Sequence, residues 1–246
     1  MRHWLPVIDW QQPWFAPYRE LGKAVATRVA QGSSLAQALN AQRSTPAPRF
    51  IAPEEQGAEA YEAFVARTLS VPTRDNCHDF FNGLVWLRYP ELKRRLNRLH
   101  AGELERRGVA ATRGVVRDRL TLFDENGALF AAAPGLTRAL QERDWHRLFV
   151  VWRDSWRDAQ LTIVGHALLE KLVQPRKAIT AHVWLGEGAH ASNLPDPGAP
   201  VFAPLPVLGV PGWWPGNHDP TFYADPAVFR PAGSLRSTSS AHPCRS

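Results

Sequence analysis

The stretch Arg117–Phe130, RDRLTLFDENGALF, decides what kind of sheet this chain can build. Leu120 and Leu122 alternate with polar residues, Asp124-Glu125-Asn126-Gly127 follows, and Leu129 resumes the apolar signal beyond it. Apolar signal on both sides of a polar turn, here Asp124–Gly127, is the pattern of a β-hairpin. A second strand is expected at 178–185. There Ile179, Ala181, Val183 and Leu185 share one face, and His182 and Trp184 the other. The expected fold class is therefore α+β, mainly helical, with a small antiparallel sheet made from the 118–131 hairpin and the 178–185 strand.

Working outward, helical signals dominate. Asn76–Pro90, NCHDFFNGLVWLRYP, reads as a helix capped by Asn76, with Asp79 near the positive end of its dipole. At 100° per residue Phe80, Phe81, Leu84, Val85 and Leu87 share one half. His78, Asp79, Asn82, Gly83 and Trp86 share the other, where the small Gly83 predicts another element packed close. Pro90 opens a further helix, with Leu92, Leu96 and Leu99 as its buried stripe and Gly108 as its stop. Residues 18–41 predict two helical segments, the second capped by Ser34, and a shorter helix follows at 56–69. Further helices are expected at 136–141, 144–157 and 159–173, the last stopped by Pro175. Trp4, Trp10, Trp14 and Phe15 among prolines predict an aromatic N-terminal arm lying over the core. The chain is expected to form a single globular domain over 1–231, and 232–246 is too poor in apolar residues to fold, so it is expected to be a disordered tail.

Composition narrows the function classes. The 246 residues include ten Trp and eleven Phe, enough for a sizeable core. No run approaches about 18 consecutive apolar residues, so no membrane span is expected. Cys77 and Cys244 are the only cysteines, which excludes a disulfide framework or a cysteine-rich zinc site and fits a cytoplasmic location. The net charge is +6, and Arg88–Arg119 alone, with nine Arg and one Lys against four acids, carries an equal excess. Such a basic stripe can meet nucleic acid. Since the chain uses 25 Arg and only 4 Lys, the stripe also reads as compositional habit.

P-loop, G-x-G-x-x-G, H-E-x-x-H, G-x-S-x-G and C-x-x-C motifs are all lacking. What remains is a set of polar residues in apolar company: His78, Asp79, Asn82, Asp118, Asp124, Glu125, His166 and His182. His78, Asp79, Asn82 and His166 are the candidate catalytic residues. If His78, His166 and His182 converge with Asp118, three imidazoles and a carboxylate can hold a divalent metal and activate a water. Each also has an ordinary reading. His166 between Gly165 and Ala167 can be a hydrogen-bonded core histidine, His182 a solvent-facing strand residue, and Asp124 and Glu125 plain turn residues. Cys77 and His78 diverge on the helix and do not form a nucleophile–base pair. The segment 209–226 reads either as an aromatic lip over a cleft or as a staple for an irregular C-terminal wrap.

Several long phrases, HDFFNGLVWLRYP, RDRLTLFDENGALF, GHALLEKL, ITAHVW and LPVLGVPGWWPGNHDPTFYADPAVFRP, resemble the bacterial family catalogued as domain of unknown function 3025. The resemblance runs from about Trp4 to Pro231 and implies a bacterial, soluble, single-domain protein, with no catalytic residue to carry over. Three function classes stay open. The first is a metal-dependent or small-molecule enzyme with a His/Asp/Asn-lined site. The second is a nucleic-acid-binding protein using the Arg88–Arg119 stripe, and the third is a non-catalytic protein-interaction module.

Overall fold

A computed structural model describes residues 4–107, 114–185 and 201–232. Gly108 and the tail residues 233–246, with Cys244, lie outside the described residues.

Helices α1 (Arg19–Ala30) and α2 (Leu35–Asn40) follow an N-terminal arm whose Trp14, Phe15 and Tyr18 are buried. Ser34 caps α2 through a reciprocal pair of bonds with Gln37, satisfying two backbone donors that the helix leaves open. Strand β1 (Arg49–Ile51), helix α3 (Tyr61–Thr68) and strand β2 (Ser70–Pro72) form a small unit in which β1 and β2 pair in parallel. Helix α4 (Cys77–Arg88) begins at Asn76, whose side chain accepts the Asp79 N–H at 2.7 Å, as the capping pattern requires. Phe80, Phe81, Leu84 and Val85 are fully buried on one side of α4. On the other side a Cβ added to Gly83 would come within 2.8 Å of a Leu39 methyl, so α2 is the close neighbour that Gly83 announces.

Helix α5 (Pro90–Arg107) carries two buried stripes rather than one. Leu92, Leu96 and Leu99 pack with Leu120, Phe123, Leu129, Val164 and Trp184 in a second apolar cluster. Lys93, Asn97 and His100, at i, i+4 and i+7, form a polar stripe that is also buried.

The stretch 117–130 departs from the hairpin expectation. It is the body of helix α6 (Val115–Asn126) followed by strand β3 (Gly127–Ala131). Leu120 and Phe123, three apart, are fully buried, whereas Leu122 is only half-buried. The helical spacing of Val116, Leu120 and Phe123 against α5 outweighs the apparent alternation of Leu120 with Leu122. The tetrapeptide Asp124-Glu125-Asn126-Gly127 closes a helix instead of joining two strands.

After helix α7 (Pro134–Glu142) the expected helix at 144–157 is a π-turn at Arg147–Val151 followed by a 3-10 segment at Arg153–Arg157. The expected helix at 159–173 is two elements, strand β4 (Gln160–Ile163) and helix α8 (His166–Lys171). The β-branched Thr162, Ile163 and Val164 favour the strand. Strands β5 (Thr180–Leu185) and β6 (Val201–Pro206) complete a four-stranded sheet of order β4-β3-β5-β6. The sheet is mixed, not antiparallel, because β3 runs parallel to β5 while β3–β4 and β5–β6 are antiparallel. The α+β class with a predominance of helix holds.

The C-terminal segment is a staple. Asn217 donates to the carbonyls of Leu208 and Val210 and accepts from Arg153, Tyr223 donates to the Gly209 carbonyl, and Phe149 stacks on Tyr223 with ring centroids 5.0 Å apart. No helix of the described residues is long and apolar enough to cross a membrane.

Candidate metal centre

The end of α6, the start of β3 and the start of α8 cross at very close range. A Cβ on Gly165 would lie 2.6 Å from Asn126 Cα and 2.6 Å from Glu125 O, both backbone atoms that cannot yield. Glycine is what allows this crossing, and Gly165 donates its N–H to the Gly127 carbonyl at 2.9 Å. The next residue, His166, is thereby set against the last turn of α6. Since α4 packs on α8, His78 arrives from the opposite side.

His78 Nε2 and His166 Nε2 face each other at 3.0 Å, and Glu125 Oε2 is 3.5 Å from His166 Nε2. One ligand atom from each of the three residues lies within 4.8 Å of the other two. The outer ring nitrogens fix the tautomers. His166 Nδ1 lies 2.8 Å from the Asp124 carbonyl oxygen, which only accepts, so Nδ1 bears the proton and Nε2 a lone pair. His78 Nδ1 lies 3.2 Å from Glu170 Oε2, and the same argument turns the lone pair of a neutral His78 inward. Two lone pairs and a carboxylate oxygen thus point at one spot. That arrangement is repulsive until a proton or a cation enters it.

The electrostatics sharpen this. Burial, then the Lys93 ammonium, pushes His166 down to about 3, so His166 is neutral at ordinary pH. The Glu125 carboxyl is held above its usual value, first by burial and then by Asp124, against the pull of His78 and Lys93. Burial alone would raise Asp124, yet Lys93 with Nζ 2.6 Å from Oδ1, followed by His166 and His100, holds it at about 2. Asp124 therefore stays ionised beside the cluster and paired to Lys93.

These residues open onto a cleft of about 460 Å³ between α3, α4, α5 and α6, with Tyr61, Trp86, Lys93, Asn97 and His100 among its walls. Asp79 lines it but is buried, and both its oxygens bind Arg74. Asn82 lines it too and donates to Tyr61 Oη at 3.4 Å. Two residues expected to join the histidines lie outside the three-residue cluster. Asp118 is exposed on α6 and, seven residues before Glu125, sits about 10 Å away along the helix axis. His182 sits on β5, in register with Gly127 and Pro204. Glu125, a plain turn residue by its sequence pattern, is the carboxylate that stands with the two histidines. Lys93 was also missed, although it is one of only four lysines and starts the Lys-Asn-His spacing of α5.

Of the basic segment, Lys93 pairs with Asp124, Arg94 with Glu91, and Arg106 with Glu103. Residues 108–113 lie outside the described part.

A family model described as "Protein of unknown function (DUF3025)" matches residues 48–196 and 188–233. The chain belongs to this family. The match starts at residue 48, so it takes in every residue of the cluster and the cleft but leaves out the N-terminal arm and the first two helices. No curated protein and no solved structure matches the chain.

Proposed function

We propose that this protein is a divalent-metal enzyme of hydrolytic type, with His78, His166 and Glu125 as the protein ligands and the cleft as the substrate site. The observation that carries this reading is the convergence of two imidazole lone pairs and a carboxylate oxygen, with the outer nitrogen of each imidazole already committed to an acceptor. Histidine ligands are characteristically held this way, by an outer hydrogen bond that fixes the ring. Metal–nitrogen distances of about 2.0–2.1 Å place two imidazole nitrogens about 3.0 Å apart at a right angle and about 3.4 Å apart in a tetrahedron. The observed 3.0 Å is within reach of either.

Two histidines and a carboxylate suit zinc, manganese or iron and leave positions for water. An ion held there would supply an acidified water and polarise a bound carbonyl or phosphoryl oxygen. The chain's own groups do the rest. Asp124 fixes the His166 ring through its backbone carbonyl and anchors Lys93 with its side chain. Glu170 fixes the His78 ring. Tyr61, Trp86 and Leu96 give the cleft apolar walls that restrict water.

One observation favours a second reading. A separation of 3.0 Å also suits an N–H···N hydrogen bond, in which a protonated His78 donates to His166 and the site is a metal-free acid–base dyad. Elemental analysis by mass spectrometry on untagged, unchelated protein separates the two. The metal reading expects close to one zinc, manganese or iron per chain, lost in His166→Ala and in Glu125→Ala. A wild-type protein that carries none, and takes up none of these ions when offered, refutes it and leaves the dyad.

A further inference from the structure

Two cations share the cleft with the proposed centre, and they are held differently. Arg74, just ahead of α4, bonds the Asp79 carboxylate through Nε at 3.1 Å and Nη2 at 3.0 Å, while its own backbone N–H takes Asp79 Oδ2 at 2.7 Å. Asp79 is buried, whereas the Arg74 side chain is 65% exposed. The carboxylate therefore works as an anchor that fixes the plane of an exposed guanidinium at the cleft rim. Nη1 has no hydrogen-bond partner among the described residues. A guanidinium so oriented loses little freedom on meeting a ligand, and its fork matches carboxylate and phosphate oxygens.

Lys93, in contrast, is 4% exposed on the cleft floor. One of its three donors serves Asp124, and its ammonium sits 5.5 Å from the Trp86 ring centroid. It has no other hydrogen-bond acceptor among the described residues. Asp124 offsets part of the cost of burying this ammonium, and its two remaining donors face the cleft free for a second acceptor. The neighbouring walls are also not a closed polar network, since His100 Nδ1 and Asn82 Oδ1 are buried without partners among the described residues.

We propose that the cleft takes a small substrate bearing an oxyanion group, a phosphate ester or a carboxylate, with Arg74 orienting it at the rim and Lys93 meeting it from the floor. This rests on the metal reading only for the reaction; the anion seat belongs to Arg74 and Lys93. Both cations are partly neutralised by their own carboxylates, so the seat selects by geometry more than by net charge.

The test is calorimetric titration of inorganic phosphate, and separately of acetate, into the full chain loaded with zinc, with zinc content measured on the same samples. Wild type is expected to bind one anion per chain. Arg74→Gln keeps an amide donor toward Asp79, thermal melting of the variant controls for the buried carboxylate it leaves behind, and it is expected to weaken binding about tenfold or more. Lys93→Gln is expected to weaken it further where it folds. Phosphate binding tighter than acetate assigns a phosphoryl substrate, and the reverse assigns a carboxylate. No binding of either anion to wild type, or unchanged affinity in Arg74→Gln, overturns the proposal. A wild type that holds no zinc defeats the metal reading alone, and the same titrations on metal-free chain then decide the anion seat.

Discussion

Glu170→Gln tests whether the outer hydrogen bond of His78 serves a metal ligand. Glu170 Oε2 accepts from His78 Nδ1 at 3.2 Å, and no other described residue is bonded to that nitrogen. Glutamine keeps the size and one acceptor oxygen but removes the charge that makes the imidazole a stronger donor of its inner lone pair. Outer partners of this kind are worth ten- to a hundredfold in metal affinity. His78 and Glu170 have 36% and 38% of their side chains exposed, so solvent screens the charge and places the loss at the low end. The expectation is about a tenfold weaker zinc affinity, or about 1.4 kcal/mol. Competition against a chromophoric chelator measures it, with thermal melting of the metal-free chains as a control for folding. Glu170→Asp should recover part of the loss where the shorter side chain still reaches. An unchanged zinc affinity in Glu170→Gln, with intact binding in wild type, would refute the argument that Glu170 acts through His78.

Three other outcomes follow from the packing. Gly165→Ala forces a methyl into the backbone of Glu125 and Asn126, so it should destabilise the fold by roughly 1–3 kcal/mol and weaken metal uptake as well; a denaturant midpoint equal to wild type would show that this crossing has room to spare. Lys93→Met leaves Asp124 beside the centre without its ammonium and should cost about 3–5 kcal/mol, and adding Asp124→Leu should restore much of it; a double mutant no more stable than the single would contradict the pairing. Burial, then the Glu170 charge, pushes the Cys77 thiol up to about 12. At pH 8 its alkylation should therefore run about a hundredfold or more slower than in the unfolded chain. Peptide mapping reads this at Cys77 alone, and equal rates would reopen a nucleophilic role.

Parts of this architecture are legible in the sequence because they are local. Asn76 marks the start of α4, Pro90 the start of α5, and Gly83 the close approach of α2. Each signal rests on residues within a few positions of one another. His78 and His166 also stand out as histidines in apolar helices. Their meeting is not legible, because 88 residues separate them and α4 contacts α8 only through the tertiary packing. The helix at 115–126, where alternation suggests a hairpin, also decides which carboxylate meets the histidines. An Asp-Glu-Asn-Gly run is commonplace in a turn, so a hairpin gives Glu125 no special weight and leaves Asp118 as the candidate carboxylate. Once 115–126 is a helix buried through Leu120 and Phe123, the same four residues become its last turn. Gly127 then enters β3 and lies against Gly165. Asp124 presents its carbonyl to one histidine and its carboxylate to Lys93, while Glu125 faces the space between the two imidazoles. The mixed sheet and the cluster are therefore one fact. The β4 strand that displaced the first part of the expected 159–173 helix delivers Gly165 to that crossing and leaves His166 as the first residue of α8, aimed at α4.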